Sequence, residues 1–216
     1  MRFLPITRLF RLAGFLSGSA LLTATAGAGV SSTGKNPITA PASALPDPAS
    51  QWAFDVEGGA LWRVSDNTFL DYTVVPVIFS LRTPAHIRMD LGGGELTVRA
   101  RFSLLTEAVA QGPESAYLGF SASPSVEYWL RKGGPDCLYA SVGGGFGYIN
   151  SQDTPGGQGQ DFTLNWFATA GLRHYVSSAF SVNAGVMFQH WSNGGATDPN
   201  PGLDALGPMI GGTWHF

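Results

Sequence analysis

A histidine and a serine stand two residues apart in the segment Gln189–Gly195, whose sequence is QHWSNGG. A serine hydroxyl becomes an effective nucleophile when a neighbouring base takes its proton, and histidine is the usual base near neutral pH. If this segment is a β-strand, His190 and Ser192 point to the same side, because side chains alternate along a strand. The two residues are therefore spaced as the nucleophile and the base of a hydrolase could be.

A carboxylate is the third group that this chemistry needs, since it orients the imidazole and stabilises the imidazolium. Two aspartates follow the histidine, Asp198 and Asp204. Asp204 lies where the next strand is expected to begin, and an antiparallel return would bring it back to the height of His190. Asp198 falls at the tip of the intervening loop. The sequence therefore predicts Asp204 as the acid.

The same region offers hydrogen-bond donors for an oxyanion, namely Asn193, Gly195 and Asn200. A second interpretation of His190 and Ser192 is also open. Polar and aromatic residues are common where a membrane protein meets the membrane surface, so the pair could belong to an interfacial belt. The choice depends on the elements that hold the two side chains.

Composition indicates a membrane barrel. Charged residues make up 12% of the chain, about half of the roughly 25% typical of soluble domains, and there are 29 glycines and 12% aromatic residues. No run of 18 apolar residues follows residue 28, which excludes a spanning helix there. A transmembrane β-barrel fits these facts, because its apolar residues are spread over alternating positions.

The N-terminus predicts export. Three arginines precede an apolar stretch over 12–28 that ends in small residues, as in a cleaved signal peptide over 1–28. Residues 29–50 are rich in proline, serine and alanine and predict a flexible leader. Three of the 12 basic residues lie in the signal and all 15 acidic residues follow it, so the mature chain carries a charge near −6. That charge argues against a nucleic-acid partner.

The segment 51–216 predicts an all-β fold, an eight-stranded antiparallel β-barrel of the bacterial outer membrane. The segment 71–81 is apolar on both faces and does not reveal its orientation. With it, the predicted strands are 51–64, 71–81, 95–105, 116–130, 138–150, 162–175, 181–193 and 206–216. An even number of strands puts both termini in the periplasm and makes 151–161 and 194–205 outer loops. The terminal Phe216 resembles the signal that the outer-membrane barrel assembly machinery reads. Ala184, Val186 and Phe188 share a face with His190, which predicts a lipid-facing site.

The motif His190-Trp191-Ser192-Asn193-Gly194-Gly195, followed by Pro199-Asn200-Pro201-Gly202, resembles the signature of the lipid A 3-O-deacylase family (PagL-like, acyloxyacyl hydrolases). The resemblance is strongest over 159–216 and more diffuse from residue 51. It implies an eight-stranded outer-membrane barrel. It also implies a Ser-His-Glu triad on the outer face of the barrel that removes the ester-linked acyl chain at position 3 of lipid A.

The resemblance also assigns roles to the residues of the motif. It makes His190 the base, Ser192 the nucleophile and Asn193 a supporting residue, with oxyanion donors from Asn200 and the Gly195 backbone. The family's glutamate falls on Asp204, whose side chain is one methylene shorter, so the hydrogen bond to the histidine would require a shifted backbone. Two alternatives stay open at this point. One is a weakly active or inactive barrel with a structural or adhesive role, and the other is a phospholipase that uses the same residues.

The expected partners are lipid A of the lipopolysaccharide outer leaflet and the barrel assembly machinery, and a homodimer is compatible with the sequence. We expect no cofactor and no metal. His86, His174 and His215 lack metal-ligand spacing and are interpreted as structural.

Overall fold

The structure is a computed structural model that describes residues 47–66, 68 and 70–216. The predicted signal peptide over 1–28 and most of the predicted leader lie outside these residues. In the described part of the chain, no helix is both long and apolar enough to cross a membrane.

Ten β-segments follow a 3-10 turn at Pro48–Ser50. They are β1 (Ala53–Gly59), β2 (Leu61–Arg63), β3 (Thr73–Arg82), β4 (Ile87–Leu91), β5 (Gly94–Gln111), β6 (Ala116–Trp129), β7 (Asp136–Ile149), β8 (Phe162–Tyr175), β9 (Phe180–Ser192) and β10 (Leu203–His215).

The ten segments form eight barrel strands. β1 and β2 lie one after the other between β3 and β10, and β3 and β4 lie one after the other along β5. All neighbouring segments are antiparallel, and the pairing of β1 with both β3 and β10 closes the sheet. The predicted eight-stranded antiparallel barrel is therefore confirmed. Closure removes the unpaired edges that a hydrocarbon environment does not tolerate.

The predicted strand bounds differ from the observed ones mainly in strands two and three. β5 continues to Gln111, and strand two resumes as β4 at Ile87–Leu91, in a region taken as a connection. Ile87, Met89 and Leu91 alternate with Arg88 and Asp90 in β4, but all five residues are exposed, so this short alternation marks no buried face. Its pairing with β5 decides its conformation.

The two faces of the barrel wall have opposite chemistry. Large apolar side chains on the outer face are about half exposed, among them Phe102, Leu118, Phe146, Leu172 and Trp214. The alternate positions are buried and often polar, as the pattern of β6 shows along its whole length. This is the arrangement of a barrel surrounded by lipid.

Charged side chains fill the middle of the barrel. Arg82 donates to Asp55 at 2.8 and 3.0 Å and also to Glu127, which accepts a further hydrogen bond from Arg173. Arg101 pairs with Glu57. Arg99 and Arg173 also form ion pairs with Glu127. An eight-stranded barrel is narrow enough for side chains to fill, so this interior is a packed core.

Residues 47–51 lie in the mouth of the barrel at the end opposite His190 and Ser192, although residues up to 50 were expected to form a flexible leader. The Arg99 guanidinium donates to the carbonyl oxygens of Pro48, Ala49 and Gln51 at 3.0–3.2 Å. Ala49 is buried and its carbonyl accepts from Ala85 N at 2.8 Å. These long-range contacts order the end of the segment, and its composition alone does not reveal them.

Candidate active site

The candidate site lies at the outer end of β9, between β8 and β10. In the register of the sheet, His190 is directly opposite Asp204 on β10 and opposite Trp166 on β8. Side chains at directly opposed positions of an antiparallel pair lie about 5 Å apart at Cβ, which is close enough for contact. Strand pairing therefore brings the predicted base and the predicted acid together.

The His190 and Asp204 side chains are hydrogen-bonded. His190 Nδ1 lies 2.6 Å from Asp204 Oδ1, and the two side chains are 24% and 18% exposed. The shorter aspartate reaches the imidazole because the register places it directly across the strand pair. This contact leaves His190 Nε2 as the ring atom available to a nucleophile.

Ser192 lies two positions further along β9, on the same outward face and opposite Leu164. Within the described part of the chain, its hydroxyl has no hydrogen-bond partner. Trp191, between Ser192 and His190, points inward, is 1% exposed and stacks on Tyr117 with ring centroids 4.8 Å apart. Because side chains alternate along the strand, the buried Trp191 keeps His190 and Ser192 on the membrane-facing side.

Aromatic side chains form the membrane-side wall of the site. The Trp166 ring stacks on the His190 ring at 6.1 Å with an interplanar angle of 28°, and it lies 4.8 Å from the Phe188 ring. Leu164, opposite Ser192, is 47% exposed on the same face. An apolar surface thus begins directly beside the histidine and serine.

Loop residues 193–202 cross above the site. Asn193 N donates to Asn200 Oδ1 at 2.9 Å, and Gly195 N donates to Asn193 Oδ1 at 2.8 Å. The Gly195 N–H expected to serve an oxyanion is therefore engaged within the loop. The Asn200 carboxamide keeps its NH₂ group for that role, since only its oxygen takes part in the contact with Asn193.

The remaining histidines have local partners away from this site. His86 Nε2 lies 2.9 Å from Thr83 Oγ1, and His174 Nδ1 lies 2.7 Å from Asp136 Oδ1. His215 contacts Ser181 Oγ at 3.1 Å inside the barrel. Asp198 is exposed at the loop tip, whereas Asp204 meets the histidine.

Comparison with known proteins decides the family. The family model described as lipid A 3-O-deacylase (PagL) matches residues 85–212, more than half of the chain. The chain belongs to the lipid A 3-O-deacylase family. The resemblance noted from the motif at His190 is thereby confirmed.

Two solved structures are similar in fold. The crystal structure of the outer membrane enzyme PagL has a TM-score of 0.53 at 17% identity, covering 73% of this chain and 97% of the other. Neisserial surface protein A (NspA) has a TM-score of 0.44 at 11% identity, covering 76% of this chain and 97% of the other. A search of curated proteins finds no match. Family and barrel fold together support an outer-membrane location for this chain.

Sequence patterns missed two residues of this neighbourhood, Trp166 and Gln158. Trp166 belongs to the predicted strand 162–175, but its contact with His190 depends on the register between β8 and β9. Gln158 lies in a Gly- and Gln-rich loop without any motif, yet it is 1% exposed and contacts the loop above the site.

Proposed function

We propose that this protein is an outer-membrane esterase that removes the 3-O-linked acyl chain from lipid A of lipopolysaccharide. In the proposal, Ser192 is the nucleophile, His190 the base and Asp204 the acid. Family membership supports the substrate class and the type of reaction. The observation that carries the assignment of residues is the 2.6 Å contact between His190 and Asp204, on the face of β9 that also bears Ser192.

The mechanism follows from these three side chains. His190 Nε2 takes the Ser192 proton as the hydroxyl oxygen attacks the ester carbonyl, and Asp204 stabilises the resulting imidazolium. The Asn200 NH₂ group is the donor best suited to the developing oxyanion, with Asn193 holding the loop that carries it. The imidazolium then protonates the departing lipid A hydroxyl, and water releases the fatty acid from Ser192.

The position of the triad suits an amphiphilic substrate. Lipopolysaccharide would reach the outward face of β9 laterally, without leaving the membrane. The exposed apolar surface of Leu164 and Trp166 lies beside the reacting groups and can receive acyl chains. Water and the polar outer loops border the site from above, where the lipid A headgroup and the attacking water would be found.

Mass spectrometry of lipid A tests the proposal. The full chain is expressed in a bacterium whose outer membrane contains fully acylated lipid A, and extracted lipid A is weighed. We expect the loss of one hydroxyacyl chain with the wild type and no loss with Ser192→Ala. Ser178→Ala, which changes a serine of the periplasmic turn between β8 and β9, serves as the matched control and retains the activity.

Each other outcome favours a different function. Unchanged lipid A with a folded wild-type barrel would support a structural or adhesive role. Release of fatty acid from glycerophospholipid instead would make the protein a phospholipase of the same site. If the Ser192→Ala variant still removed the acyl chain, Ser192 would not be the nucleophile.

We also propose that Phe216 is recognised during barrel assembly and that 1–28 is a cleaved signal peptide. Phe216 is 67% exposed, and its backbone N–H donates to Trp52 O at 3.0 Å, so the terminal strand pairs with strand one up to the last residue. The homodimer compatible with the sequence stays a prediction.

A further inference from the structure

Gln158 belongs to the outer loop after β7, but it bridges both ends of the loop between β9 and β10. Its backbone oxygen accepts from Asn193 Nδ2 at 2.6 Å, and its side-chain Oε1 accepts from Gly202 N at 3.2 Å. Asn193 directly follows Ser192, and Gly202 stands two residues before Asp204. One buried residue thus connects the chain next to the proposed nucleophile with the chain next to the proposed acid.

Gln158 is itself held by a buried hydrogen-bond chain. Its N–H donates to Ser151 Oγ, whose hydroxyl donates to Glu114 Oε1 at 2.8 Å, and Tyr72 donates to Glu114 Oε2 at 2.7 Å. Tyr72 and Glu114 are both 3% exposed. Burial raises the pKa of the Tyr72 phenol, so it stays protonated and continues to donate. The support therefore extends from the connection after β7 to two other outer connections of the barrel, those after β5 and β2.

The two loops also touch at Gly159, the next residue. Its backbone has φ +75°, and a Cβ at this position would lie 2.7 Å from Pro199 O, closer than an ordinary contact. The backbone of one loop therefore packs against that of the other at the position beside Gln158. This leaves little freedom for the β9–β10 loop to shift as long as the Gln158 contacts persist.

We propose that Gln158 is a positioning residue of the hydrolytic site, which sets the distance between the strand ends that carry Ser192 and Asp204. This inference rests on the proposed function, which supplies the substrate. The contacts of Gln158 themselves concern only the position of the nucleophile Ser192 relative to Asp204. Gln158→Leu removes the acceptor for Gly202 N–H and leaves that buried donor unpaired, so the start of β10 shifts. Displacements of this kind reduce the chemical step more than the binding of the lipid.

Kinetics with a synthetic fatty-acyl ester in detergent micelles provide the first test. For Gln158→Leu we expect kcat to fall about tenfold or more, with KM changed less than about twofold. Gln160→Leu is the matched control, since Gln160 lies in the same loop and accepts from Thr197 Oγ1 at 2.6 Å, near the tip of the other loop. It should retain wild-type kcat. Equal effects of the two variants, or a rise in KM alone, would overturn the proposal.

Labelling with a fluorophosphonate, which reacts with activated serines, separates this proposal from the proposed substrate. Gln158→Leu should be labelled about tenfold more slowly than the wild type while showing the same heat-modifiable mobility of a folded barrel. Gln158→Asn keeps the amide but is one methylene shorter, and it is measured in parallel in case Gln158→Leu does not fold. Normal labelling of both folded variants would contradict the positioning role.

The wild-type results identify which proposal fails. Labelling of the wild type without release from lipid A would contradict the substrate and leave the positioning test valid. A folded wild-type barrel that shows neither labelling nor ester hydrolysis would overturn both proposals.

Discussion

At the residue scale, the central feature is the contact between His190 and Asp204. The glutamate that the family resemblance implies is longer than Asp204, but the register of β9 and β10 places His190 and Asp204 directly opposite and the hydrogen bond of 2.6 Å forms. A neutral residue in place of Asp204 could still touch the ring, but it would not stabilise an imidazolium. The charge of Asp204 is therefore the property that matters most.

Substitution of Asp204 tests this point. We expect Asp204→Asn to lower kcat by about 10²- to 10⁴-fold, because the amide neither holds the correct tautomer nor balances the positive ring. Asp204→Glu should not exceed the wild type, since the shorter side chain already reaches His190. Rates of acyl-chain release from lipid A check both. A gain of activity in Asp204→Glu would show that the aspartate limits catalysis.

At the element scale, charged side chains inside the barrel link strands that are not neighbours in the sheet. Glu127 on β6 accepts hydrogen bonds from Arg82 on β3 and Arg173 on β8, and it is fully buried. It thereby connects strands on different sides of the barrel. Removing one member of such a group leaves buried charges of the other sign without balance.

We expect Glu127→Gln to destabilise the barrel by about 3–5 kcal/mol, because the two arginines lose their shared carboxylate. The free energy of unfolding in urea, measured in detergent micelles, checks this. Lys132→Met is the control, since Lys132 and Asp90 form a pair with side chains 65% and 72% exposed. Its unfolding midpoint should match the wild type, and an equal loss in both variants would contradict the role of the interior charges.

At the scale of the whole molecule, the barrel wall has an inner and an outer face, and the barrel has two ends that carry different connections. The interior is packed, so we expect a substrate to meet the proposed site from the membrane rather than through the lumen. The connections after β2, β5, β7 and β9 lie at the end of the barrel that carries His190 and Ser192. The connections after β4, β6 and β8 lie at the opposite end with the described start and the end of the chain.

We expect the end of the barrel that carries His190 and Ser192 to face the cell exterior, and cysteine labelling in intact cells checks this orientation. Gln152→Cys, exposed in the loop after β7, should react with a membrane-impermeant maleimide. Lys132→Cys, in the turn after β6, should react only after the outer membrane is opened. The native Cys137 is fully buried and should stay unlabelled in the folded protein. Labelling of the Lys132→Cys variant alone in intact cells would reverse the assigned orientation.

Local patterns in the sequence were sufficient to predict the barrel fold. Alternation of polar and apolar residues is imposed separately on each strand by the lipid outside and the packed interior, so it can be seen one segment at a time. The same alternation placed His190 and Ser192 on the outer face, and the spacing of the next strand pointed to Asp204. β4 was not predicted although its apolar residues alternate with Arg88 and Asp90, since the segment has only five residues and all of them are exposed.

Contacts between residues distant in the chain were decided only by the tertiary structure. Glu127 occupies an inward position in the alternating strand β6, but only the closed barrel brings Arg82 and Arg173 to it. Likewise, only the packing of the outer loops brings Gln158 to both ends of the loop above the site. The physical reason is that alternation specifies which face a side chain occupies, whereas register and closure specify what it meets there.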